Sequence, residues 1–139
     1  MRLVGVVAVL LGLVTACASS GQTREHVPAA PKPLVLTDAD TRHLFTVRPG
    51  DRFAVVLHST FWTFAHPTDT SVLDLDGTAE PTKGSACPHI PGTGCGTLTQ
   101  HYIVKAAGTT DISAARTSCG EALACTPAQA HWQVRIRVR

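Results

Sequence analysis

The sequence predicts an all-β domain, an antiparallel sandwich of about seven or eight short strands. Three observations predict it. Beyond Pro33 the apolar residues recur with a period of two, the spacing that puts successive strand side chains on one face. Turn residues break that alternation at near-regular intervals. No stretch of this region shows the 3.6-residue period of an amphipathic helix.

Leu34–Leu36 and His43–Val47 open the domain as short strands. Pro49-Gly50-Asp51 is a turn signal, and Phe53, Val55 and Leu57 alternate after it. Phe61–Phe64 and Val72–Leu75 are weaker strands, with Asp74 and Asp76 placed in the turn before Gly77. The segment from Gly77 to Gly96 is long for a sandwich connection, and long ordered loops in small domains are often functional or cross-linked. Tyr102, Val104 and Ala106 alternate up to the turn at Ala107-Gly108, and Ile112 and Ala114 continue the pattern beyond it. The last strand has the strongest signal: Trp132, Val134, Ile136 and Val138 interleave with His131, Gln133, Arg135, Arg137 and Arg139. Strands of this number and spacing point to a sandwich of immunoglobulin type.

The N-terminal segment is different. Arg2 precedes an apolar run from Leu3 to Val14, followed by Thr15-Ala16-Cys17. A charged start, an apolar centre and small residues before a cleavage point make an export signal over residues 1–16. The run has about 12 residues, short of the roughly 20 that cross a bilayer. Val14-Thr15-Ala16-Cys17 resembles a bacterial lipobox, which implies a diacylglyceryl group on the Cys17 sulfur and cleavage before it. Residues 17–33 are small, polar and proline-rich, and read as a tether from the lipid to a domain over residues 34–139. The expected location is the cell membrane, lipid-anchored on its extracytoplasmic face.

With Cys17 assigned to lipid, Cys87, Cys95, Cys119 and Cys125 remain. An even number in an exported domain reads as a disulfide framework. Short separation favours the local pairs Cys87–Cys95 and Cys119–Cys125. A bridge between Cys95 and Cys119 is the alternative, because both loops belong at one end of the sandwich. Removing Arg2 with the signal leaves eleven basic and ten acidic residues, a balance that excludes the basic footprint of nucleic-acid binding.

The sequence predicts neither an enzyme nor a metal or cofactor site. Cys87-Pro88-His89 with Cys95 lacks the paired ligand spacing of structural zinc. Cys119 with His58, His101 or His131 as its base needs a free thiolate, and Cys125 lies close enough to remove it. The remaining histidines are scattered, and neither H-E-x-x-H nor G-x-S-x-G occurs.

The order of pieces from Leu44 to Arg116 resembles the chagasin family of cysteine peptidase inhibitors. Its opening strand, Gly-acid turn and second strand match Pro49-Gly50-Asp51 and Arg52–Leu57. Its glycine-rich loop matches Gly92-Thr93-Gly94-Cys95-Gly96-Thr97, and its aromatic-x-Val-x-Ala strand matches Tyr102-Ile103-Val104-Lys105-Ala106. Gly108-Thr109-Thr110 and Ile112–Arg116 follow in order, and the last strand fits too. The resemblance implies three loops at one end of the sandwich, wedging into the cleft of a papain-like cysteine peptidase. They are Ser59–Thr63, Gly92–Gly96 and Arg116–Cys125. The partner-binding residues placed at that end are Phe61 and Trp62 for their apolar area, with Trp62 equally a candidate for the core, together with Gly92, Thr93, Gly94 and Gly96 of the glycine loop and Arg116. Two loops depart from the family. Ser59-Thr60-Phe61-Trp62 replaces Asn-Pro-Thr-Thr-Gly, and Thr117-Ser118-Cys119 follows Arg116 where the family has Pro-Trp. The expected function is therefore a membrane-anchored binding module acting as a proteinase inhibitor. The alternative is a structural or adhesive envelope lipoprotein with no peptidase target.

Overall fold

The structure is a computed structural model that describes residues 32–88, 90, 92–120 and 123–139. The export signal, Cys17 and the tether up to residue 31 lie outside the described residues, as do His89 and Glu121. Among the described residues no helix is long and apolar enough to cross a membrane.

Among the described residues eleven strands form two facing sheets and one small hairpin. In chain order they are β1 (Leu34–Thr37), β2 (Leu44–Val47), β3 (Arg52–His58), β4 (Thr63–Phe64), β5 (Leu73–Leu75) and β6 (Glu80–Thr82). Then come β7 (Thr97–Val104), β8 (Gly108–Ala115), β9 (Ser118–Gly120), β10 (Leu123–Ala124), a one-turn helix α1 (Pro127–Ala130) and β11 (His131–Val138). The first sheet has the order β1-β3-β7-β5, with β6 also pairing β7. The second has the order β2-β11-β8-β4, and β9 pairs with β10 alone.

The architecture is the sandwich the sequence predicts, but its sheets are mixed rather than purely antiparallel. β1 runs parallel to β3, and β2 parallel to β11. The cause is the crossing between β1 and β2. A tight turn at Asp38–Asp40, with Asp40 Oδ2 accepting the Thr37 N–H at 2.6 Å, sends β2 into the opposite sheet. β1 and β3 are then separated by one reversal spent elsewhere, so they run the same way.

The clean alternation of β11 is borne out. Trp132, Val134, Ile136 and Val138 are buried, while His131, Gln133, Arg135 and Arg137 face outward. They meet Phe53, Val55 and Leu57 of β3 and Leu98, Tyr102 and Val104 of β7 in one core. Phe53 and Tyr102 stack with ring centroids 5.3 Å apart. The Trp132 indole N–H donates to the Thr37 carbonyl at 3.0 Å, tying the second sheet to the end of β1. Ala106 does not continue β7, because the strand ends at Val104 and the chain turns.

Asp74 is not in a turn. It lies in β5 and accepts from Lys105 Nζ at 3.1 Å, which holds its carboxyl below the usual carboxylate range. The turn begins after it, at Asp76-Gly77.

Register fixes which loops share an end. β3, β6 and β8 finish at one end of the sandwich, where β7 and β11 begin. The 59–62, 83–96 and 116–130 connections therefore gather there. The start of β1, the 48–51 and 105–107 turns and Arg139 lie at the other end.

Candidate functional site

Backbone hydrogen bonds join the first loop to the second. Ser59 N–H donates to the Gly96 carbonyl at 2.8 Å, and Thr60 N–H to the Gly94 carbonyl at 2.9 Å. The half-buried Phe61 ring lies directly on Gly94. A Cβ at Gly94 would fall inside the van der Waals envelope of that ring, so the absence of a side chain permits the contact.

The third loop joins the first through Arg116. Its Nε donates to the Gln129 carbonyl at 3.0 Å, and Nη1 reaches the His58 carbonyl at 3.4 Å. Its guanidinium stacks 4.3 Å from the Trp62 ring centroid. Beyond Arg116 the chain forms the β9–β10 hairpin and then α1. Thr126 and Gln129 make a capping box there, with Gln129 Oε1 accepting from Thr126 N–H at 3.2 Å and from its hydroxyl at 2.9 Å.

Both cysteine pairs are local. Cys87 is bonded to Cys95 across Cα atoms 5.6 Å apart, and Cys119 to Cys125 across 5.0 Å. Each bridge lies in one of the three loops. The pairing leaves no thiolate at Cys119. Among the described residues no group of three His, Cys, Asp or Glu side chains is placed to hold a metal ion. The short bridged segments suggest that the bonds mainly fix loop shape. Changing Cys119 and Cys125 together to alanine should lower stability by about 2–3 kcal/mol at most, by the chain-entropy argument. Urea unfolding measures this directly. An unchanged midpoint would mean that the third loop is ordered without its bridge.

The structure brings Phe61, Thr93, Gly94, Gly96 and Arg116 to one open depression of about 280 Å³. Gly92 is exposed on the same loop. Of the two roles open to Trp62, core or partner-binding anchor, the structure gives it the core. It is only 6% exposed, its indole N–H donates to the His58 carbonyl at 2.9 Å, and its ring belongs to the core. Phe61, beside it, is left as the accessible aromatic.

Four residues to which the sequence reading gave no binding role at this end also belong there. His58 Nδ1 lies 2.6 Å from Asp38 Oδ2, which also accepts the His58 N–H at 3.0 Å. The pair ties the β1–β2 turn to the base of the first loop, and a separation of twenty positions hides it from any local motif. Ile90 and Leu123 are exposed apolar side chains in the second and third loops, at 59% and 69%. Single exposed apolar residues of this kind carry no signal in a sequence.

No family model matches the sequence, and no curated protein matches it. Solved structures share its fold. The solution structure of amebosin has a TM-score of 0.57 at 16% identity, over 78% of this chain and 99% of that one. The cysteine protease inhibitor EhICP2 from Entamoeba histolytica has a TM-score of 0.54 at 13% identity, over 76% of this chain and 93% of that one. At these identities the likeness is one of fold. It carries the resemblance to the chagasin family as far as the sandwich fold.

Proposed function

We propose that the chain is a lipid-anchored extracytoplasmic binding module that inhibits a papain-like cysteine peptidase through the three loops at one end of its sandwich. The observation that carries this reading is the mutual fastening of those loops. Main-chain hydrogen bonds join the first to the second, Arg116 joins the third to the first, and a disulfide closes each of the last two. A surface ordered before binding loses less conformational entropy on association, which is how a small contact area gains affinity. Rigid strands fix the loop positions, and Phe61, Ile90 and Leu123 supply apolar area beside backbone that a partner can approach closely. The fold shared with a cysteine protease inhibitor supports the choice of partner. The lipobox at Cys17 and the two disulfides support an exported, anchored chain.

The test is inhibition of a papain-like peptidase by the purified protein. Phe61→Ala should raise the inhibition constant at least tenfold, the size expected for an interface anchor of more than about 1.4 kcal/mol. Because Phe61 is only half-buried, the variant should keep its fold by circular dichroism. Failure of the wild-type protein to bind or inhibit any such peptidase would remove the inhibitor reading. The structural or adhesive envelope domain would then stand in its place.

A further inference from the structure

The outer face of the second sheet has no place in the loop site, and its charge is one-sided. Its strands β2, β8 and β11 contain one acid, Asp111. Arg135 already holds that carboxylate through two bonds, Nε at 2.7 Å and Nη2 at 3.0 Å. Arg137 stands outward on the same strand, two residues further along, between Thr46 and Thr109. Arg42 lies beside Gln133, held there by its own N–H on the Gln133 carbonyl at 2.6 Å. Arg139 continues the row, its N–H on the Val47 carbonyl at 3.1 Å. Arg42, Arg137 and Arg139 form no ion pair among the described residues. From the Arg42 row to Arg139 the strand advances roughly 20 Å. These guanidinium groups are spread along a sheet and do not converge on a point, a pattern suited to an extended anionic surface.

The position of the N-terminus adds a second observation. Lys32 and Pro33 line one depression with Thr46, Val47 and Gly50, at the end of the sandwich that holds Arg48, Asp51 and Arg139. The chain therefore enters the domain at the Arg139 end of the sheet, opposite the three loops. Leu34 lies seventeen positions after Cys17, a span of at most about 55–60 Å even when fully extended. A lipid at Cys17 would keep this face within that distance of the phospholipid head groups.

We infer that the β2–β11 face, through Arg42, Arg137 and Arg139, docks on the anionic phospholipid surface of the membrane that anchors the chain, leaving the three-loop end free for its partner. This rests on the reading of Cys17 as the lipid anchor. Paired with a basic surface, a lipid anchor supplies the second signal that converts reversible attachment into stable attachment.

The experiment reconstitutes the full lipidated chain on vesicles of phosphatidylcholine alone or with added phosphatidylglycerol. It follows amide hydrogen exchange over residues 42–47 and 131–138. Exchange there should slow at least threefold on the phosphatidylglycerol vesicles only. The slowing should disappear when salt rises from about 0.1 to 1 M, which shortens the screening length from about 10 to 3 Å. It should also disappear in the variant carrying Arg42→Glu, Arg137→Glu and Arg139→Glu, while that variant still floats with the vesicles through its lipid. Equal exchange on both vesicle types overturns the docking and leaves the anchor intact. Equal slowing by inorganic phosphate in solution also overturns it, since the site would then take a free anion. A chain that fails to float with phosphatidylcholine vesicles removes the anchor reading instead. Its exchange on phosphatidylglycerol vesicles still decides the docking.

Discussion

Trp62→Ala should lower the stability of the domain by about 3–5 kcal/mol, the cost of emptying a buried site the size of an indole. The side chain is 6% exposed and packs in the common core with residues of both sheets. Its removal leaves a cavity at the loop end of the sandwich. It also takes away the N–H that donates to the His58 carbonyl at 2.9 Å and the face on which Arg116 stacks at 4.3 Å. Arg116 keeps its bond to the Gln129 carbonyl, so the guanidinium should loosen rather than leave. Urea unfolding reads the loss as a fall in midpoint with an unchanged slope. A midpoint within about 1 kcal/mol of the wild-type value would place the indole outside the core and restore it as a partner contact. Binding measured on this variant therefore reports folding as much as contact, and Phe61→Ala is the cleaner probe of the recognition surface.

How far this was legible in the sequence differs from element to element. β11 and β3 could be read because each buries one face against the opposite sheet, and burial imposes alternation. β6 could not, because Glu80, Pro81 and Thr82 are all exposed on an edge and have no apolar signal. The parallel pairings were hidden for another reason. Alternation shows that a strand has an inner face but says nothing of its neighbour, and the crossing between β1 and β2 decides that. The helix α1 is too short for periodicity, although Thr126-Pro127-Ala128-Gln129 carries a readable capping pattern with proline at its first position.

The candidate site was partly legible. Gly94, Gly96 and Arg116 were found through a family resemblance and do meet at one end. Trp62 stood open between core and exposed anchor because Phe61 and Trp62 are adjacent aromatics, and adjacency cannot say which of two rings turns inward. Asp38 and His58 meet only because β1 and β3 lie side by side, a contact of tertiary origin. The anchor rests on Cys17 and the residues before it, where the reading remains one of sequence.

Gly96→Ala should cost about 3 kcal/mol or more, well beyond the roughly 1 kcal/mol expected for Gly92→Ala. Both glycines have positive φ, +124° at Gly96 and +83° at Gly92, so each alanine carries backbone strain of about 1–2 kcal/mol. The surroundings separate them. Among the described residues a Cβ at Gly92 meets nothing within 4 Å, whereas one at Gly96 would run into the Thr82 carbonyl oxygen and come within 3.2 Å of the Lys83 Cα. Those atoms are main chain, and the pairing of Thr82 with Thr97 holds them in place. Yielding would mean opening the start of β7. It would also move the Gly96 carbonyl, which accepts the Ser59 N–H at 2.8 Å, and with it the first loop. Gly96→Ala should therefore weaken peptidase inhibition at temperatures where the variant is still folded, and Gly92→Ala should change it much less. Thermal unfolding and inhibition measured side by side test both halves. Equal stability losses for the two variants would show that strain alone governs these positions. Full inhibition by folded Gly96→Ala protein would show that the first and second loops act independently.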